Sequence, residues 1–198
     1  MKYALFGLIL LSASAFAEFS ANVGYASKYY YRGVFQANNS VSVGADYESD
    51  ANGLYVGTWI ADVGEGAEVD IYAGYKFKDL PMSVGYTHYH YTDGFDSTYK
   101  ELNLDISINT VLDLEYSVGR WKDQTYDFTG VTLEGSGTYG TAGAFGKDFA
   151  GVYLEVGHSK TFYNVDFGLA AIFSSKHLTS DIGVSRDKSL ILTVGKVF

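Results

Sequence analysis

The sequence has no cysteine, a single proline (Pro81), and fewer basic than acidic residues, 14 Lys and Arg against 23 Asp and Glu. Without thiols there is no disulfide scaffold and no thiolate metal site. A formal net charge of −9 repels a phosphate backbone, which argues against nucleic acid as a partner. Nor is there an apolar run of the roughly 20 residues that a membrane-spanning helix needs. The longest such run, residues 3–11, follows Lys2 and precedes Ala15-Phe16-Ala17. That order of charged, apolar and small residues is the order of a secretory signal peptide, residues 1–17, with cleavage predicted before Glu18. The remaining 18–198 are a single-domain length.

Aromatics and glycine are abundant: Tyr 18, Phe 13, Trp 2 and Gly 23. Such a chain is not disordered. Most of it alternates with period two. Leu102, Leu104, Ile106 and Ile108 interleave with Glu101, Asn103, Asp105 and Ser107, and Val69, Ile71, Ala73 and Tyr75 interleave with Asp70, Tyr72, Gly74 and Lys76. Successive strand side chains point to opposite faces, so each segment has one apolar and one polar face. No sustained 3.6-residue period predicts a helix after the leader.

Short turn signals at 50–53, 78–81 and 109–110 alternate with longer polar connections at 34–40, 64–67, 93–98 and 175–187. A barrel of the outer membrane has that pattern, with short periplasmic turns and longer outside loops. The segment 123–149 reads as a long loop or as a hairpin pairing about 126–135 with 138–147. Val131 and Leu133 alternate there with Thr132 and Glu134, and a structureless loop of that length is uncommon. The expectation is therefore all-β: a transmembrane antiparallel up-and-down β-barrel, twelve strands favoured and ten as the alternative. A Val-Gly unit recurs at Val43-Gly44, Val56-Gly57, Val118-Gly119, Val156-Gly157 and Val194-Gly195, which fits repeated hairpins.

Periodicity alone does not say which face points inward, because a soluble barrel and a membrane barrel are inside out relative to each other. Three features favour the membrane. The polar faces mix carboxylates with Gly and Ser. Tyr29, Tyr31, Tyr47, Tyr75 and Tyr91 fall near strand ends, where an amphipathic ring suits the headgroup level. The chain also ends on a strand with Leu190, Leu192 and Val194 in phase and a terminal aromatic, Phe198. That ending reads as an assembly signal for the barrel-assembly machinery, with Lys196 as a departure in the in-phase position two before the end.

Tyr29-Tyr30-Tyr31-Arg32-Gly33, Val43-Gly44-Ala45-Asp46-Tyr47-Glu48, Asp70-Ile71-Tyr72-Ala73-Gly74-Tyr75 and the run from Asp148 through Glu155 to Phe162 carry a resemblance. On these segments the chain resembles the TorF porin family, also called Gcw_chp, of proteobacterial outer membranes. The resemblance covers most of the mature chain and is most diffuse around 125–146. It implies a barrel and an outer-membrane address, and it carries no site residues with it.

If the polar faces line a lumen, the candidate lining residues are Asp46, Glu48, Asp70, Glu101, Asp105, Asp113, Glu115, Glu155 and Asp166, with Arg32 and Lys76 among the bases opposing them (Lys28 and Lys78 share the phase). A field of that sign favours cationic or neutral small solutes over anions. The plainer reading is that the same groups form ion-pair and hydrogen-bond ladders filling a closed barrel. Barrels of about 8 strands are filled and those of 16–18 hold a channel, so twelve is intermediate and a narrow pore is expected. His88 and His90 share a strand face, yet two ligands make a poor metal site. His158 and His177 complete the candidate bases, and no histidine sits in a motif pairing it with a nucleophile, so neither an enzyme nor a cofactor is expected. The expected partners are outer-membrane lipid, the assembly machinery and small solutes.

Overall fold

The computed structural model describes residues 19–179 and 187–198; the leader and the middle of the last connection lie outside the described residues. The alternating segments form twelve strands: β1 (Phe19–Tyr31), β2 (Val34–Glu48), β3 (Leu54–Asp62), β4 (Ala67–Lys76), β5 (Met82–Tyr91), β6 (Tyr99–Ile108), β7 (Leu112–Trp121), β8 (Gln124–Gly135), β9 (Thr138–Lys147), β10 (Gly151–Phe162), β11 (Val165–Ser174) and β12 (Lys188–Val197). Each pairs antiparallel with its sequence neighbours, and β1 closes on β12 from Asn22↔Val197 to Ala26↔Thr193. Closure leaves no unpaired edge. The only helix among the described residues is one 3-10 turn, Lys176–Leu178. The doubtful segment is a hairpin, β8 on β9, from Tyr126↔Lys147 to Gly135↔Thr138, and it brings the count to twelve.

Two-residue turns tie several hairpins. Ser136-Gly137 and Tyr163-Asn164 both have positive φ at each residue, the geometry whose twist matches that of the flanking strands. Phe19 and Phe198 lie at one rim, where the Phe198 amide donates to the Ala21 carbonyl at 2.8 Å. This terminal rim also carries the short connections 49–53, 77–81, 109–111, 136–137 and 163–164. The opposite, loop rim carries the connection 92–98 and the described residues 175–179 and 187 that flank the last one.

The apolar face is outside. Leu102 is 60% exposed, and Ile71, Leu133, Leu154, Leu169 and Leu192 are also exposed, while Glu68, Asp70, Thr87, Glu101 and Ser117 are buried. Strands of about ten residues, tilted as a barrel requires, match an apolar band of about 25 Å.

Two expectations are corrected. The stretch 34–40 is not an outside loop: it is the start of β2, paired with β1 across a tight turn at Arg32-Gly33. Tyr29, Tyr31 and Tyr91 are not at a lipid interface but buried inside the barrel; only Tyr47 and Tyr75 of that group are exposed. In β5 the inward phase is Tyr89 and Tyr91, so proximity to a strand end did not decide which way they face. In β1 the phase breaks: the register with β2 shifts between Tyr29 and Tyr30, where Ala37 and Phe35 are successive partners and Gln36 is extra. A bulge of this kind bends its strand.

Candidate functional site

The bend carries the tip of the β1–β2 hairpin into the lumen. Arg32 reaches the far wall, where Nη1 and Nη2 donate to Glu101 of β6 at 2.6 and 3.0 Å. Nη2 also pairs with Glu115 and donates to Ser117 Oγ at 3.0 Å, both on β7. The guanidinium lies over the Phe128 ring, 4.2 Å from its centroid. On the other flank the Gly33 carbonyl accepts from Ser174 Oγ at 2.7 Å, and Phe35 packs edge-on to Tyr30 at 5.3 Å, beside Ala170, Ile172 and Ile191. Arg32 has φ 44°, a left-handed conformation uncommon for a residue with a side chain and costing roughly 1–2 kcal/mol. The bidentate charge pair offsets that cost.

Around this tip the loop-rim half of the lumen is packed with tyrosine. Glu101 collects hydrogen bonds from Tyr89 (3.0 Å), Tyr126 (2.8 Å) and Asn103 (3.0 Å) in addition to Arg32. Glu68 accepts from Tyr29 at 2.9 Å and Tyr91 at 3.1 Å. Tyr89 stacks on Tyr99 at 4.2 Å. Asp70 is the exception: it is 0% exposed and neither carboxylate oxygen has a hydrogen-bond partner among the described residues.

Glycines make room for the rings. Directly opposed across strand pairs are Gly57 and Tyr72, Gly74 and Tyr55, Gly119 and Tyr126, Gly143 and Tyr153, and Gly157 and Tyr139. At each of these glycines a Cβ would come within 2.4 Å of a carbon of the opposing ring. At Val56-Gly57, Val118-Gly119 and Val156-Gly157 the unit sets an apolar branch outward and leaves a gap inward that a neighbouring tyrosine fills, whereas Gly44 faces Asn22.

Toward the terminal rim the lumen changes character. Asp46 accepts from Tyr72, Lys76 pairs with Glu48, Asp105 accepts from Ser83 at 3.4 Å, Glu155 accepts from Tyr139, and Asp166 accepts from Thr161. Asp113 is half-buried on the same face. Between the halves a small recess is lined by Lys28, Tyr30, Ser40, Ser42, Trp59 and Glu155, among others. Lys78 lies outside this face, in the turn after β4, donating to the Ala51 carbonyl.

All eleven charged candidates thus sit on one inward surface or at its hairpin tip, though they do not form one cluster. Glu101, Glu115 and Arg32 meet; Glu48 and Lys76 meet; the others take neutral partners, apart from unpartnered Asp70 and half-buried Asp113. Missed from sequence were Glu68 and the tyrosines that fill the loop-rim half. Of these tyrosines Tyr126 and Tyr153 stand opposite inward glycines, a signal that needs the strand register to be seen, whereas Tyr29, Tyr31, Tyr89, Tyr91 and Tyr99 carry no such mark. His88 and His90 occupy the outward phase of β5, and His90 Nδ1 lies 3.2 Å from Thr98 Oγ1.

Comparison with solved structures finds barrels of the same fold. The KdgM porin is 12% identical, with a TM-score of 0.60, over 90% of this chain and 99% of that one. The KdgM porin in complex with disordered oligogalacturonate matches equally. A barrel solved in work on the in-meso crystallization of membrane proteins is 11% identical, with a TM-score of 0.63, over 91% of this chain and 83% of that one. No curated protein sequence matches. Residues 11–182 match the Gcw_chp model, described as a bacterial protein of unknown function, and with most of its length so matched the chain belongs to the Gcw_chp family.

Proposed function

We propose that this protein is a porin-type barrel of a Gram-negative outer membrane, exported with loss of residues 1–17, whose conduit is narrowed by the inward β1–β2 hairpin. The observation that carries the reading is the sidedness of a closed barrel: apolar side chains face outward around the wall while the carboxylates face inward. An exposed apolar surface of that extent is unstable in water and suited to lipid. The TorF porin name agrees with this reading, and Phe198 is assigned to recognition by the barrel-assembly machinery.

The solutes we assign are small cations or neutral molecules. KdgM is named with oligogalacturonate, a polyanion. The terminal-rim half here presents Asp46, Glu48, Asp105, Asp113 and Asp166 against Lys76, and such a field repels anions. A second reading is a closed barrel without transport, favoured by the packed hairpin, since Glu101 and Tyr89 are each only 1% exposed.

Planar-bilayer recording separates the two. The parent should give small, infrequent conductance steps, and Arg32→Ala should enlarge them. Glu115→Gln with Ser174→Ala loosens the tip while keeping the Arg32–Glu101 charge pair, and it should act in the same direction. Folded, inserted protein that passes no current in the parent and in both variants leaves only the closed structural barrel.

A further inference from the structure

The outward face is apolar almost throughout, yet near the loop rim three bases stand side by side. His88 of β5 is the direct partner of Lys100 of β6, and Lys100 is the direct partner of Arg120 of β7. Lys100 and Arg120 are exposed, and neither has a carboxylate partner among the described residues. Arg120 donates only through Nε, to the Lys122 carbonyl at 3.3 Å. The nearest acids are Asp148, whose Oδ2 accepts from the amide and hydroxyl of the Arg120 partner Thr125 at 2.7 and 3.1 Å, and Asp127, the direct partner of Val118, which has Lys147 3.9 Å away.

Like charges directly opposed on neighbouring strands are destabilising. Most of the carboxylates that could relieve them point into the lumen. The next outward row toward the middle of the wall is Tyr86, Leu102 and Val118, again in direct register, with Tyr86 and Leu102 exposed. A row of bases above a row of apolar side chains matches an anionic headgroup above its acyl chains. The terminal rim has no such row among the described residues. Its outward bases Lys160 and Lys196 belong to β10 and β12, and Phe167 of β11, partner of Lys160 and of Val194, stands between those strands.

We propose that the row His88–Lys100–Arg120 binds the phosphate of an anionic lipid in the leaflet at the loop rim, with the acyl chains lying over Tyr86, Leu102 and Val118. The proposal rests on the membrane-spanning reading of the barrel.

The test uses the folded protein in neutral detergent, titrated with phosphatidylglycerol, with phosphatidylcholine and with chain-free glycerol phosphate, bound lipid being counted by native mass spectrometry. Phosphatidylglycerol should be retained in preference to phosphatidylcholine, and glycerol phosphate should not displace it at equal concentration. Lys100→Gln with Arg120→Gln should weaken retention by about thirtyfold. Lys160→Gln with Lys196→Gln should leave it unchanged. Equal retention by the Lys100/Arg120 variant, or competition by glycerol phosphate, overturns the lipid site. Insertion into phosphatidylcholine vesicles is followed in parallel by protease protection. A chain that inserts but shows no anionic preference loses the lipid site alone; one that does not insert loses the membrane reading and the lipid site with it.

Discussion

The two halves of the lumen are built from the same alternating strands but solve different problems. Toward the loop rim, long tyrosines and the hairpin tip exclude water, and the charges there, Asp70 excepted, are held by partners. Glu101 accepts from Arg32, Tyr89, Tyr126 and Asn103 in that dry packing. Toward the terminal rim, glycine and short polar residues dominate, and the Lys76–Glu48 pair keeps 9% and 30% side-chain exposure. The difference teaches that charge count does not describe this lumen; Glu101 is sealed under Arg32, Tyr89, Tyr126 and Asn103, while Glu48 and Asp113 stay half-buried.

The strongest way to break that comparison is to remove its central cation. Arg32→Ala leaves Glu101 buried without its counter-charge, a loss of about 3–5 kcal/mol. Lys76→Ala leaves only the half-buried Glu48 without its counter-charge and should cost less, about 1–3 kcal/mol. Urea unfolding of vesicle-inserted protein measures both. Equal losses would mean that water reaches Glu101 and that the plug is not dry.

A second, smaller contrast concerns the glycines. Gly119→Ala brings a Cβ to 2.2 Å from Tyr126 Cζ, whose hydroxyl donates to Glu101, and should destabilise by about 1–3 kcal/mol through overpacking. Gly168→Ala meets only the rotatable Thr193 hydroxyl at its closest approach and should cost less. The same unfolding series ranks them, and a reversed order would separate the Tyr–Gly pairs from the plug's stability.

The smallest effect on stability should accompany a larger one on ions. Asp105→Asn with Asp113→Asn removes two charges from the half with room for solvent, and should change stability by less than about 1 kcal/mol. Reversal potential across a salt gradient should show a reduced cation preference. No change in an otherwise conducting variant would take these two carboxylates out of the conduit. Asp70 is unsuitable for this comparison because it lies in the packed half with no hydrogen-bond partner among the described residues.

Much of the barrel was legible because period two is local. The interleaving of Leu102 to Ile108 with Glu101 to Ser107 makes a strand with two faces whatever it pairs with, and the turn at Ser136-Gly137 sets the register of β8 on β9. The candidate carboxylates were legible for the same reason, as members of one phase. Tyr29, Tyr30 and Tyr31 were not, because three consecutive rings have no period, and the register shift opposite them comes from the extra residue Gln36 of β2.

Local pattern by itself thus determined strand identity, the turns and which residues share a face, since each follows from side chains alternating along a single segment. Tertiary structure alone decided which of those residues meet. Arg32 and Glu101 are 69 positions apart and on opposite walls. Only barrel closure and an inward bend bring them together, and each of those depends on the summed pairing of all twelve strands.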